Sequence, residues 1–194
     1  LPELLQLAAF RPATGEVFQA FAAPRRVLAP SAGEHLEVPR ERLLEGQPIA
    51  EVLTAWERFF GPEDRLAGWG GFSWELLAQE GWKPVQPPVD LRLLAAHRLK
   101  RRPGTAEAAA TAIGSDPEAY PMKAPGRAGR TVRALAALVD ALRREWVTGH
   151  LSLDSAVHPS ADGADCADRR AEMLGSDASR NLTLQVQGAS DPSS

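Results

Sequence analysis

Two short apolar runs on either side of a turn constrain the fold of this chain more than any other feature. The first run, ELLQLAAFR, covers residues 3–11, and the second, VFQAFAAP, covers residues 17–24. Pro12 and Gly15 lie in the segment between them and favour a turn. Two apolar runs around a Gly-containing turn predict a β-hairpin. The Ala and Leu content of the first run also permits a helix at that place.

Helical and strand-like segments alternate along the next hundred residues. The region 24–48 holds several prolines and is expected to be mostly loop, with a short helix near Arg40–Leu44. Apolar residues recur with helical spacing in PIAEVLTAWERFF, residues 48–60, and predict an amphipathic helix that begins after Pro48. RLAGWG, residues 65–70, predicts a buried strand, and SWELLAQEG, residues 73–81, predicts a helix.

Three further segments complete this alternation. VDLRLLAAHRL, residues 89–99, is typical of a strand end that runs into a helix. GTAEAAATAIG, residues 104–114, predicts a short helix with Thr105 as its N-cap. RTVRALAALVDALRREW, residues 130–146, has the clearest apolar stripe and predicts a long helix. A hairpin followed by alternating helices and strands indicates an α/β fold with a mixed sheet flanked by helices.

The composition changes after about residue 146. Residues 150–194 are rich in Ser, Asp, Ala and Gly, and their one weak alternating run is Leu182–Val186. We therefore divide the chain into a folded domain, residues 1–146, and a tail, residues 147–194, that is expected to be disordered.

Charge and cysteine content restrict the function classes. The net charge is −3, so the chain lacks the strong overall basicity typical of nucleic-acid-binding proteins, although a local basic patch remains compatible with it. The single cysteine, Cys166, excludes an internal disulfide framework and agrees with a cytoplasmic location. We find no apolar run long enough for a membrane span and no signal-peptide pattern. The four histidines are scattered, so neither a metal site nor a cofactor is predicted.

The segment LAGWGGFSWELL, residues 66–77, places glycines and tryptophans where a strand passes into a helix. Open α/β sheets often bind ligands at such junctions. The glycine spacing is not that of a nucleotide-binding loop. Trp69 and Trp74 could stack on a nucleic-acid base, or they could pack against the helix. Ser73 is not in a nucleophile elbow, and we predict that its hydroxyl caps the helix.

Two groups of arginines are candidates for phosphate contact. Arg98, Arg101 and Arg102 lie close together near His97 and Lys100. Arg127 and Arg130 belong to PGRAGR, which we expect to precede the long helix and to offer free backbone N–H groups. A solvated helix face and a flexible charged loop, respectively, are the simpler interpretations of the two groups.

The order of these segments resembles that of the DEDDh 3′–5′ exonucleases, which have an RNase H-like fold. ELLQLAAFRPATGEVFQAFAAP is similar to the family's hairpin, EIIQIAAVR…TGE…F. AEVLTAWERFFGPEDRLAGWGGFSWELL is similar to its helix, its strand and its WG-x-(F/Y)-D motif. VDLRLLAAHRL matches its Asp-Leu strand end, and GRAGRTVRALAALVDAL matches in position the helix that a His-x-x-x-x-Asp motif opens. The resemblance covers roughly residues 3–145.

The resemblance implies a nuclease site whose catalytic residues are replaced. Members of the family need four carboxylates for two divalent metals and a histidine that activates water. In this sequence Ser73 stands at the position of one aspartate, Gly126 at that of the histidine and Thr131 at that of another aspartate. The family's Asp-x-Glu strand would lie before Leu1, so the first strand of the sheet is expected to be missing. Asp90 stands at a position that is usually structural.

A narrower resemblance concerns an exonuclease-like extension of some bacterial DTW-domain proteins, which are tRNA-uridine aminocarboxypropyltransferases that use S-adenosylmethionine. It rests on ATGE-x-F, APR-x-x-LAPS, WG, DLR, GT-x-E and GRAG. The DTW motif itself does not occur in this sequence. The similarity implies an accessory domain that helps to hold tRNA, next to a fused or partner domain that carries the transferase activity.

The sequence therefore leads to two hypotheses about function. The first is a catalytically inactive exonuclease-like domain that binds RNA or docks onto a partner domain. Its predicted RNA-contacting residues are Trp69, Trp74, Arg98, Arg101, Arg102, Arg127 and Arg130. The alternative is an active metal-dependent 3′–5′ exonuclease whose acids come from unexpected positions, such as Glu75 and Asp90, or from outside this chain.

Overall fold

A computed structural model describes residues 2–120, 122–147 and 182–187 of the chain. The strands are β1 (Gln6–Arg11), β2 (Glu16–Phe21), β3 (Arg65–Gly68), β4 (Val89–Asp90) and β5 (Leu182–Gln187). The helices are α1 (Ala32–Leu36), α2 (Arg40–Leu44), α3 (Ile49–Phe59), α4 (Phe72–Gln79), α5 (Leu91–Leu99), α6 (Ala106–Ala112) and α7 (Gly126–Val147), with a 3₁₀ turn at Pro117–Ala119. The predicted α/β class is confirmed. None of the helices in these ranges is long and apolar enough to cross a membrane.

The predicted hairpin forms from the first two apolar runs. Strands β1 and β2 pair antiparallel, with Gln6 opposite Phe21 and Arg11 opposite Glu16. Gly15 closes the turn with a φ of 74°, a backbone angle that glycine adopts without steric cost. The helical alternative for the first run is therefore wrong, because the register pairs all six β1 residues with β2.

Strand β5 joins two separate strand pairs into one mixed sheet. The order is β2-β1-β5-β3-β4. Strand β5 runs antiparallel to β1 and parallel to β3, and β3 runs parallel to β4. The central strand of the sheet thus comes from the far end of the chain, beyond α7. The rest of the predicted disordered tail, 148–181 and 188–194, lies outside the described residues.

Apolar side chains from alternate positions of the strands build a core on each face of the sheet. Ala8 and Ala67 contact the cluster that α5, α6 and α7 supply, which includes Leu135 and Leu138. Residues one step along each strand face the other way, towards an aromatic cluster around Trp56 of α3. Those residues are Leu7, Ala9 and Leu66. This alternation is the period of two that a strand buried on both faces requires.

The helix predictions hold with two corrections. Helix α2 occupies residues 40–44, as predicted, but α1 lies in the region that was expected to be loop. Helix α7 begins at Gly126 rather than at Arg130, so PGRAGR is not a flexible loop before the helix. Gly126 has a φ of 72°, a left-handed conformation that glycine adopts freely, and it turns the chain into the helix beside the end of α1, where an added Cβ would meet Val38 and Leu36.

Candidate RNA-contacting surface and motif positions

Asp90 accepts a hydrogen bond from the glycine-rich junction, residues 69–71, between β3 and α4. Strand β3 ends at Gly68, and α4 begins at Phe72. Between them, the backbone N–H of Gly70 donates to Oδ1 of Asp90 at 3.1 Å. The same oxygen accepts from the N–H groups of Arg92 at 2.8 Å and Leu93 at 3.4 Å, which makes Asp90 the N-cap of α5. Asp90 therefore has a structural role, as the sequence predicted.

Trp69 and Trp74 lie on opposite faces of the sheet. Trp69 packs against the core cluster beneath α7, and its Nε1 donates to the carbonyl oxygen of Gly104 at 3.3 Å. Trp74 packs against the aromatic cluster around Trp56. Both side chains are partly buried. The two rings do not form one stacking platform, and packing explains both of them better than base contact does.

The prediction that Ser73 caps α4 is wrong. The N-cap is Gly71, and no side-chain hydrogen bond caps this helix. Ser73 is the second residue of the helix, and it is buried, with 7% of its surface exposed. Because the chain turns into the helix two residues earlier than predicted, the hydroxyl faces the interior instead of the free N–H groups. A buried hydroxyl at this position carries no charge for a divalent metal.

Gly126, at the position of the family's histidine, has no room for a side chain. Its φ is 72°, in the left-handed region. A Cβ atom there would lie 2.5 Å from Cγ2 of Val38 and 2.6 Å from the carbonyl oxygen of Leu36. Any larger residue would have to displace the backbone at the end of α1. The position is therefore adapted to close helix packing.

Thr131, at the position of another catalytic acid, connects two helices. Its Oγ1 donates to Oε1 of Glu107, the second residue of α6, at 3.1 Å. Arg130 contacts the same carboxylate, with its Nε 3.8 Å from Oε1 of Glu107, and it also pairs with Glu37. The hydrogen bond from Arg130 to Glu37 is the main reason why the pKa of Arg130 is raised. Arg130 thus belongs to an ion-pair network among α1, α6 and α7.

The predicted phosphate-contacting arginines fall into two groups at opposite ends of α7. Arg127 and Arg130 lie in its first two turns. Arg98 of α5 pairs with Glu145, near the other end of the same helix. At 1.5 Å per residue, Arg127 and Glu145 are separated by about 27 Å along the helix axis. The arginines therefore do not form the single surface that the sequence suggested.

A basic cluster remains at the C-terminal end of α5, composed of His97, Arg98, Lys100, Arg101 and Arg102; we call it the α5-end cluster. Helix α5 ends at Leu99, and Lys100 follows it in a left-handed conformation, with a φ of 54°. Arg101 and Arg102 are exposed and form no ion pair with a described residue. Cations at this place are favoured by the negative end of the helix dipole. The positive charge of this cluster is confined to one place, whereas the chain as a whole has a net charge of −3.

The acids proposed for an active nuclease do not form a metal site. Glu75 is exposed in the first turn of α4, and its carboxylate folds back over Gly71. Asp90 already accepts three backbone N–H groups. Within the part of the chain that the structure describes, no group of three or more His, Cys, Asp or Glu side chains could hold a metal ion.

Sequence reasoning missed the polar contacts that hold the elements together. Asp64, only 5% exposed, pairs with Arg11 of the hairpin. The hydroxyl of Tyr120 donates to Asp140 on α7. Arg25, Arg98 and Arg130 each reach an acid at least 47 residues away in sequence. No signal in the sequence identifies these partners, since each pair is brought together only by the tertiary fold.

Comparison of the chain with protein-family models, with curated proteins and with solved structures gave no match to any of them.

Proposed function

We propose that this chain is a catalytically inactive, RNase H-like exonuclease-related domain that binds RNA through the α5-end cluster. The single observation that carries the proposal is the use of the nuclease motif positions for packing. Ser73 is buried inside α4, Gly126 leaves no space beside Val38, and Thr131 bonds to Glu107. These three positions supply neither a carboxylate that could hold a metal ion nor a histidine that could activate water.

The mixed sheet supports the relationship to the RNase H-like fold. An antiparallel hairpin and a pair of parallel strands share one sheet, with helices on both faces. The central position beside β1 is filled by Leu182–Gln187, whose sequence is LTLQVQ. This strand contains no Asp or Glu, so it does not supply the carboxylates that the Asp-x-Glu strand carries in an active nuclease of the family.

The α5-end cluster supports RNA as the ligand. Arg101 and Arg102 are exposed cations beside Lys100, whereas Arg98 is paired with Glu145 of α7. RNA phosphates are recognised by arginine and lysine through contacts that depend strongly on salt. Arg127 and Arg130, which lie in the first two turns of α7, are left out of this surface.

The resemblance to DTW-associated extensions narrows the proposal to tRNA. In this form of the proposal, the domain is an accessory part of a cytoplasmic, bacterial tRNA-modification protein. It holds tRNA for an aminocarboxypropyltransferase domain in the same chain or in a partner protein. The transferase itself would bind the S-adenosylmethionine, and this chain would need no cofactor.

Binding of fluorescent single-stranded RNA and of tRNA at two salt concentrations tests the proposal. Arg101→Ala combined with Arg102→Ala should weaken binding and lower the slope of log K against log salt by about 1.4, since each contact to single-stranded RNA contributes about 0.7. Arg127→Ala is the matched control, an exposed arginine at the far end of α7, and should bind as the unmodified chain does. Absence of binding at low salt would overturn the RNA proposal and leave partner docking as the function.

A metal-dependent nuclease assay separates the inactive domain from the alternative. The chain is incubated with labelled single-stranded RNA or DNA and with Mg²⁺ or Mn²⁺. We expect no shortening of the substrate. Degradation that is lost in Glu75→Ala would instead establish an active exonuclease.

A further inference from the structure

Arg65, the first residue of β3, is a partly buried cation that has no acidic partner among the described residues. Its Nε donates to the carbonyl oxygen of Pro87 at 3.3 Å, and it forms no other hydrogen bond or ion pair with a described residue. A guanidinium carries five N–H donors, so four of them are left without a protein acceptor in this part of the chain. Neither Nη atom is fully buried, so these donors reach the surface.

The charge of Arg65 is shielded from water without being compensated. Burial lowers the pKa of Arg65, and no carboxylate opposes this effect. The pKa values of Arg11 and Arg98 are raised instead, because each of them donates hydrogen bonds to an acid. A charge that is taken partly out of water is destabilising unless an opposite charge compensates for it. An anion bound from the surface would supply that charge at Arg65.

The start of β3 lies at the end of the molecule where α7 ends. Gln6, the first residue of β1, donates to the carbonyl oxygen of Pro125 at 3.1 Å, so α7 starts beside the start of β1. Helix α7 packs along β1. At the other end of β1, Arg11 pairs with Asp64, the residue before β3. Arg65 is therefore level with the end of β1 and lies towards the C-terminal end of α7.

The side chain of Arg65 lies on the face of the sheet that α5 and α7 cover. Ala67 contacts the cluster beneath α7, whereas Leu66 contacts the aromatic cluster on the other face. Because side chains alternate along a strand, Arg65 shares the face of Ala67. At this end of that face, Arg98 of the α5-end cluster pairs with Glu145 of α7. Arg65 and the α5-end cluster thus occupy the same face and the same end of the molecule.

We infer that Arg65 is a further RNA-contacting residue, which binds a backbone phosphate next to the α5-end cluster. The inference rests on the proposed function, because the phosphate belongs to the RNA that this cluster holds. The planar guanidinium can donate two parallel N–H groups to one phosphate, which makes arginine better suited than lysine to such a contact. The RNA then runs from the end of α5 to the start of β3, and its charge compensates for the burial of Arg65.

RNA binding by the full chain over a series of salt concentrations tests this contact. Arg65→Gln should weaken binding and lower the slope of log K against log salt by about 0.7, the value for one phosphate of single-stranded RNA. Arg127→Gln is the matched control, because it removes the same charge from an exposed position in the first turn of α7, and it should leave the slope unchanged. An unchanged slope for Arg65→Gln would overturn the inference.

Arg65→Lys separates the charge of the side chain from its shape. It should keep the slope of the unmodified chain, because counterion release depends on charge. Its affinity should nevertheless fall, because an ammonium group cannot form the paired contacts of a guanidinium. A slope as low as that of Arg65→Gln would contradict a phosphate contact at this position.

Urea unfolding separates ligand contact from a structural role. Arg65→Gln keeps a side-chain N–H donor for the carbonyl oxygen of Pro87 and removes an uncompensated charge, so the midpoint of unfolding should not fall. A lowered midpoint would show that Arg65 stabilises the fold itself and would overturn the inference. Chemical modification of the unmodified chain needs no variant: RNA should protect Arg65, but not Arg127, from phenylglyoxal. Equal modification of Arg65 with and without RNA would also overturn it.

The cluster variant distinguishes failure of this inference from failure of the proposed function. If Arg101→Ala combined with Arg102→Ala weakens RNA binding while Arg65→Gln binds as the unmodified chain does, the proposed function stands and the inference about Arg65 is wrong. If the unmodified chain does not bind RNA at low salt, both are wrong.

Discussion

Asp64 Oδ2 lies 2.7 Å from Nη2 of Arg11 and joins the loop after α3 to the end of the hairpin. Asp64 is 5% exposed and the Arg11 side chain 16%, so the pair is shielded from water. The same carboxylate accepts the backbone N–H of Gly61 at 2.9 Å, and Arg11 also donates to the carbonyl oxygen of Phe59. The hydrogen bonds that Arg11 donates to Asp64 are the largest cause of the raised pKa of Arg11.

Removing one partner of this pair should be strongly destabilising. Asp64→Ala leaves the shielded guanidinium of Arg11 without its main counter-charge, and we expect a loss of about 2–4 kcal/mol in the free energy of unfolding. Glu16→Ala removes the exposed partner of the same arginine and should cost much less, because a solvent-exposed ion pair contributes little to stability. Urea unfolding, followed by tryptophan fluorescence, measures both values. Similar losses for the two variants would contradict the assigned importance of Asp64.

Gly126→Ala should destabilise the chain by more than about 2 kcal/mol, because the substitution combines a positive φ with a steric clash. The added Cβ would lie 2.6 Å from the carbonyl oxygen of Leu36. Gly15→Ala separates the two effects: its φ is 74°, but no atom lies within 4 Å of the added Cβ. We expect the control to cost about 1 kcal/mol. Equal unfolding free energies for the two variants would show that packing at Gly126 is unimportant.

Asp90→Ala should loosen the glycine-rich junction and the start of α5 together. Three backbone N–H groups lose their acceptor, including that of Gly70, and we expect a cost of about 1–2 kcal/mol. Asp90→Asn keeps an acceptor oxygen and should cost less. Thr105→Ala, which removes a cap with a single accepted hydrogen bond, is the matched comparison. Hydrogen exchange at Gly70 should rise in Asp90→Ala and remain unchanged in Thr105→Ala.

The sequence predicts the elements of this fold far better than the contacts between them. The hairpin, α3 and the cap at Thr105 follow from local signals: apolar periodicity, turn residues and a hydroxyl before a helix. The apolar stripe predicts that α7 starts at Arg130, four residues after its start at Gly126, because the position of Gly126 beside Val38 depends on tertiary packing. The weak alternation near Leu182 gave no indication that this segment forms the centre of the sheet.

The same limit applies to the candidate site. Two groups of arginines in the sequence predict phosphate contact, but the acids that pair with Arg98 and Arg130 are distant in sequence and are not predicted from it. Likewise, two tryptophans five residues apart face opposite sides of the sheet because one follows a strand and the other lies in a helix. The residue types therefore indicate what each side chain could bind, whereas the strand order and the helix packing decide which side chains lie on one surface.

Tyr120 should make the stability of the chain fall in alkaline solution. Partial burial, the hydrogen bond to Asp140 and the charge of that carboxylate raise the pKa of Tyr120 from 10.0 to about 12, against a smaller opposing effect of Arg144. Since the neutral phenol is favoured in the folded state, its contribution to stability is complete below pH 10. That contribution is lost as the pH rises towards 12.

Absorbance and unfolding measurements can isolate this effect, because Tyr120 is the only tyrosine in the chain. Tyrosinate absorbance near 295 nm should rise with a midpoint near pH 12 in the folded protein and near pH 10 in urea. Tyr120→Phe keeps the ring but removes the ionisable hydroxyl, so its unfolding free energy should depend less on pH between 10 and 12. A folded-state midpoint near 10, or an equal pH dependence in Tyr120→Phe, would contradict the contact between Tyr120 and Asp140.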